Sequence, residues 1–328
     1  MISTPHDLLF KSTFSQPQHA VELFRSLLPP GVVRHIDFST LQVEPTSFID
    51  EKLRARYSDL LFSLQLAGRP AYLYLLFEHQ SGPERMMCLR LLRYVLDIWS
   101  DHIKQHPRAT HLPVVIPIVL HHGEGGWTEP VTLRDLYDAP PELLEELRPY
   151  LPELTFLLDD LAPQTDAALR ARALTAIPML VLWTFKHVRR GQDVIPALRQ
   201  VTDLLSGVLG APHGVDALAT VMRYISEVSE SSTEEIHELL VHTMLPQASE
   251  ALMTNAEKLR GEGRQEGRKE GREETQRENL IRLLILRFGP LSDVIMARIR
   301  RADFTLMERW FERGVTASSL EAVFDDSP

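Results

Sequence analysis

The amino-acid sequence predicts an α/β protein with a mixed sheet flanked by helices, and three observations carry that expectation. Two apolar runs, SDLLFSLQL at 58–66 and AYLYLLFEHQ at 71–80, meet through Gly68 and Arg69 and read as a hairpin. Residues 84–104, ERMMCLRLLRYVLDIWSDHIK, then carry apolar positions at helical spacing. The segment LPVVIPIVLHHG at 112–123 reads as a strand buried on both faces. A strand reached through a long helix needs a crossover, and a crossover places it parallel to its neighbour.

The remaining elements follow in order. Pro17 to Leu28 forms a short amphipathic helix ended by Pro29, Pro30 and Gly31. Leu41 to Phe48 is a first strand, at an edge or broken, because Pro45 has no N–H for a ladder. In the helix at 84–104 the apolar stripe runs through Met86, Leu89, Leu92 or Arg93, Leu96, Trp99 and Ile103. Residues 128–165 are proline-rich and acidic, with a short helix around Leu143 to Leu147 and a strand or turn in LTFLLDDLAP. Residues 167–188 read as a helix kinked at Pro178, and further helices are expected at 193–207, 215–227 and 232–244. The chain thus divides into a core at 1–125, a helical extension at 126–250, a charged Gly/Glu/Arg linker or helix at 251–279 and a small helical domain at 280–328. Within 257–278 the charges of both signs balance and glycines recur at 263, 267 and 271. A solvated charged segment is one reading of that stretch; a glycine-lined face that assembles a homo-oligomer is the other.

Composition narrows the function classes. With 328 residues, 44% hydrophobic and 24% charged, the chain is an ordinary globular protein with room for more than one core. Its formal net charge of -10 gives no chain-wide sign of nucleic-acid binding and leaves a local basic groove open. The one cysteine, Cys88, excludes an intramolecular disulfide and a CxxC metal site, which suits a reducing compartment. MISTPHDLLFKSTF has no basic segment followed by an apolar run, and no apolar run approaches a membrane span, so a cytoplasmic protein without membrane contact is expected. Phosphate-loop, Rossmann and G-x-S-x-G patterns are missing.

The hairpin holds the chemistry. If its turn centres on Gly68 and Arg69, Leu61 faces Leu76 and Asp59 faces Glu78, and the strand period brings Gln80 onto the same face. Two carboxylates so placed repel unless a positive group joins them. A divalent cation is one solution, and an oxygen donor set suits Mg2+ or Mn2+ better than zinc. Sheet-end acids facing solvent, or pairing with Arg54, Arg56 or Arg85, are the alternative. A slip of one residue would part the two acids. His79 projects to the opposite face and takes a structural hydrogen bond, while His121, His122 and Gly123 close the next strand, where a site residue could stand. A zinc site from the three histidines and Glu78 is the weaker reading, because the spacing is not that of a HExxH helix.

PHDLLFKSTF at 5–14, SFIDEKLRARYSDLLF at 47–62, FEHQSG at 77–82, RLLRYVLDIW at 90–99 and LPVVIPIVLHHG at 112–123, in that order, resemble the recombination-promoting nuclease family of bacteria, the transposase-31 or YhgA-like putative transposases. ILRFGPL and LEAVF near the C-terminus are similar to a small domain of unknown function that often follows it. The resemblance implies a PD-(D/E)XK restriction-endonuclease-like core and a metal-dependent DNA endonuclease tied to recombination and DNA mobility. On it, Asp59 takes the place of the strand-borne aspartate, and Glu78, His79 and Gln80 that of the Glu-x-Gln element. Asp59 and Glu78 would then hold Mg2+, with Mn2+ or Ca2+ as substitutes, and Gln80 would position a water. The superfamily ordinarily has a lysine where Gln80 stands, so positive charge must come from elsewhere or activity falls. Glu22 and Glu51 are candidate accessory acids, against an ordinary surface role. Lys11, Arg90 and Arg93 are candidate contacts to DNA phosphates, with ion pairs as the alternative, and Asp7 is a candidate helix cap. A catalytically weak or inactive DNA-binding or assembly protein on a nuclease scaffold is the competing account.

Overall fold

The computed structural model describes residues 4–44, 58–78, 83–232 and most of 235–239 and 276–324. Its contacts fall into two compact units, one over Ser3–Ala256 and one over Glu257–Pro328 with Met1–Ile2. The first opens with α1 (Pro5–Phe14), whose start is fixed by a reciprocal cap: the Thr4 hydroxyl accepts from the Asp7 N–H and the Asp7 carboxylate from the Thr4 N–H, each at 3.2 Å. α2 (Pro17–Leu27) follows, and then β1 (Ile36–Glu44), β2 (Ser58–Leu66), β3 (Arg69–Glu78), α3 (Met87–Gln105), β4 (Val114–His121) and β5 (Leu157–Asp160). The strands lie in the order β1-β2-β3-β4-β5, antiparallel between the first three and parallel from β3 to β5. The mixed sheet expected from the crossover is therefore present, and β5 adds to it a strand from the segment read as a helical extension.

The hairpin register differs by two residues from the expectation. Its turn residues are Ala67 and Gly68, with φ of 50° and 72°, the left-handed pair that suits a tight hairpin. Leu61 consequently faces Tyr74 and Asp59 faces Leu76. Because side chains alternate with a period of two, this shift leaves every residue on its expected face. β1 begins earlier than foreseen and ends at Glu44, next to Pro45, as the edge strand. In β4, Pro117 lies where only β3 pairs with it, since β5 joins at Ile118; the missing N–H costs no second ladder.

Helices cover both faces of the sheet. On one, Phe10 of α1 stacks on Phe77 with ring centroids 4.8 Å apart, and Phe24 of α2 meets Phe62 edge-on at 5.1 Å. Phe77 also packs at 4.5 Å against Phe185 of α4 (Ala176–His187). The break expected at Pro178 lies earlier: a short helix ends at Arg170, α4 starts at Ala176, and Pro178 sits in its first turn, where its missing N–H does no harm.

On the other face α3 turns Met87, Leu91, Tyr94 and Ile98 to the sheet, against Leu61, Tyr74, Leu76 and Val119. This corrects the stripe read from the sequence, since Met86, Leu89, Leu96 and Ile103 are exposed. Both faces of the N-terminal turns carry apolar residues, so periodicity alone left the phase of the helix undetermined. Cys88 is buried there, and burial pushes its thiol up to about 11. The second unit has its own core, in which Leu280, Leu284, Met307, Trp310 and Phe324 pack together around the helix Phe304–Thr316. Among the described residues no helix is long and apolar enough to cross a membrane.

The α3 assignment makes a direct prediction. Leu91→Ala, at a position 0% exposed, should cost about 2–5 kcal/mol, whereas Leu96→Ala, at 49%, should stay within about 0.5 kcal/mol. Urea unfolding of the full chain measures both, and equal losses would reverse the assigned face.

Candidate active site at the end of the sheet

Asp59 stands near the start of β2 and Glu78 at the end of β3. Leu76 faces Asp59 across the hairpin, and Glu78 lies two residues further along, so both acids are on the α3 face. They are 3% and 1% exposed. Such carboxylates need strong partners, and the fold supplies a different one to each.

Tyr74 shares that face and donates its hydroxyl to Asp59 Oδ2 at 2.7 Å. Burial first, and the Asp59 charge next, hold the Tyr74 phenol well above its ordinary range, so it remains a donor. Arg90, on the first turns of α3 and 5% exposed, places Nη2 3.1 Å from Glu78 Oε2, while its Nη1 pairs with Glu84. A cation near a helix N-terminus opposes the helix dipole, so the two carboxylates are what make this position tolerable. The guanidinium is thus turned to Glu78 and Glu84, in the ion-pair alternative to the phosphate contact the sequence suggested for it. Of the arginines that the sequence offers as partners, Arg85 lies 3.6 Å from Glu129, and Arg54 and Arg56 fall outside the described residues.

The other candidates are scattered. Glu22 Oε2 accepts the Thr175 N–H at 2.7 Å and its hydroxyl at 2.8 Å, closing the N-terminus of α4. Lys11 and Arg93 are exposed on α1 and α3. Gln80, His79 and Glu51 lie outside the described residues. His121 and His122 diverge: His121 pairs in register with Glu78 on one side and Asp160 on the other, whereas His122 stacks on Phe77 at 5.1 Å and turns Nδ1 to the Phe185 carbonyl. The two histidines therefore do not converge as the zinc reading would need. Sequence reasoning missed Tyr74 and the pairing of Arg90 with Glu78; a helix phase drawn through Met87, Leu91, Tyr94 and Ile98 would have turned Arg90 to the sheet.

A divalent ion would require several oxygen donors at once. Asp59 Oδ2 is engaged by Tyr74 and Glu78 Oε2 by Arg90, and no three His, Cys, Asp or Glu among the described residues are grouped to hold a metal. The described residues alone therefore do not compose the metal centre that the resemblance implies; a guanidinium neutralises the carboxylate where the ion was expected.

A mixed sheet between helices, with an aspartate and a glutamate on one face of its central hairpin, defines a nuclease-like scaffold of the PD-(D/E)XK class. Residues 4–215 match the family described as "Putative transposase, YhgA-like", and the chain belongs to that family of recombination-promoting nucleases and nuclease-like proteins. It is 33% identical over 267 residues to the inactive recombination-promoting nuclease-like protein RpnE of Escherichia coli K12, covering 80% of this chain and 84% of that one. It is 30% identical to the recombination-promoting nuclease RpnA of the same strain, over 90% of this chain and 97% of the relative. With the recombination-promoting nuclease RpnD of Escherichia coli O157:H7 the identity is 31%, over 79% and 95% of the two chains. No solved structure matches.

The ion pair should behave as a coupled unit. Arg90→Met is expected to destabilise the protein by about 3–5 kcal/mol, because the buried Glu78 loses the guanidinium at 3.1 Å. Combining it with Glu78→Gln should recover about 1–3 kcal/mol relative to the sum of the single changes. A double-mutant cycle in urea measures this, and simple additivity would count against the pairing.

Proposed function

We propose that this chain binds DNA on a nuclease scaffold and hydrolyses it weakly or not at all. The observation that carries this reading is the buried contact of Arg90 Nη2 with Glu78 Oε2 at 3.1 Å. A guanidinium fixed there competes with any divalent ion for the same oxygen. Displacing it would separate two charges that are 5% and 1% exposed, which costs several kcal/mol. Gln80, standing where a lysine is usual in the superfamily, brings no compensating charge to the reaction. The relatives support both outcomes, since RpnA and RpnD are named as nucleases and RpnE as inactive. The exposed Lys11 and Arg93 remain the candidate phosphate contacts.

A second reading is a full Mg2+-dependent DNA endonuclease that promotes recombination or DNA mobility, and the shared face of Asp59 and Glu78 favours it. In that reading these two acids would hold Mg2+, or Mn2+ or Ca2+ in its place, and Gln80 would orient the water. The ion would supply Lewis-acid stabilisation of the phosphate charge.

Plasmid cleavage and gel retardation with the purified chain separate the readings. The leading one expects retarded DNA, weakened by added salt, with at most single-turnover nicking in Mg2+ or Mn2+. Rapid Mg2+-dependent turnover that Asp59→Ala abolishes would select the second. DNA that runs free at low salt would sink both.

A further inference from the structure

At the C-terminal ends of the parallel strands, Glu78, His121 and Asp160 stand in one row across β3, β4 and β5. The His121 ring is fully buried, and its Nδ1 lies 3.1 Å from Asp160 Oδ1. Asp160 is anchored independently, by the Trp127 N–H on Oδ2 at 2.7 Å and the Ala162 N–H on Oδ1 at 3.2 Å. Gly126, at φ +67°, passes so close that a Cβ there would meet Asp160 Oδ2 at 3.0 Å, so the loop after β4 closes over this carboxylate. A carboxylate only accepts, so Nδ1 is the nitrogen that carries hydrogen, and the neutral imidazole then presents a lone pair at Nε2.

Among the described residues that Nε2 has no hydrogen-bond partner. A buried acceptor left unsatisfied costs about 1–3 kcal/mol, and in a native fold it marks a place for a water or ligand. The register pairs His121 with Glu78 of β3, and Trp127 stands edge-on to the ring at 5.3 Å, which restricts its rotation.

We infer that His121, positioned by Asp160, is the proton acceptor of the candidate site and does the work that Gln80 leaves without a lysine. The inference rests on the hydrolytic part of the function proposed above. A water held at Nε2 gives a proton to that nitrogen as its oxygen bonds to phosphorus. The bond from phosphorus to the leaving sugar oxygen breaks, and that oxygen takes a proton from solvent. The imidazolium, compensated by the Asp160 carboxylate, then returns its proton to solvent. Asp160 does not meet the substrate; it is a positioning residue that sets the tautomer, as in other His–carboxylate pairs.

Single-turnover cleavage of a labelled duplex by excess protein in Mn2+, DNA affinity by anisotropy in Ca2+, and NMR of the 15N-histidine-labelled wild type test this. His121→Gln should slow cleavage by about 100-fold with affinity changed by no more than about twofold. Asp160→Asn should slow it by about tenfold and move the imidazole hydrogen to Nε2. The wild-type spectrum should show Nε2 without hydrogen, a readout that needs no variant to fold. A hydrogen on Nε2 in the wild type, or His121→Gln cleaving at the wild-type rate, overturns the inference alone. Wild-type protein that retains DNA but never cleaves it overturns the inference together with the hydrolytic reading and leaves DNA binding standing.

Discussion

Side chains along a β-strand alternate between two faces, and in β3 and β4 that alternation separates packing from chemistry. Phe77 goes to the face of α1 and α4, where aromatic rings surround it, and Glu78 goes to the face of α3, where Arg90 meets it. One strand further, His122 joins the aromatic face and His121 the acidic one. Neighbouring residues of the same type thus do unrelated work, and the site is specified by parity along the strands more than by residue identity.

The acids of this face share their partners with the first turns of α3. Arg90 meets both Glu78 and Glu84, and Asp59 receives a neutral hydroxyl from Tyr74. A cation at the start of α3 would be disfavoured by the helix dipole on its own, so Arg90 and the acids depend on one another.

Much of this was legible in the residues. The hairpin, the crossover helix and the buried strand follow from apolar runs and their punctuation, and the common face of Asp59 and Glu78 survived a register error because the error was an even number of residues. The phase of α3 was not legible, since Met86, Leu89, Leu96 and Ile103 form as regular a stripe as the one that is buried. Polar partners chosen in three dimensions were also hidden. Nothing local ties Tyr74 to Asp59, or Asp160 to His121 across 39 residues. β5 was ambiguous because LLDD, with half its residues acidic, has no strand period of its own and is set by the edge it completes.

The Glu22 cap on α4 joins positions 153 residues apart, and Phe185 on that same helix seals one side of Phe77. Together with β5 this makes the stretch after residue 125 part of the core's own wall. A fragment trimmed at that point would keep the acids and lose the enclosure around them, leaving apolar sheet open to solvent. The enclosure continues past α4: Tyr224, on the helix Gly214–Val228, meets Phe185 edge-on at 5.7 Å and pairs its hydroxyl with His6 of α1 at 2.9 Å, so the first helix and the late helices close over the same strand.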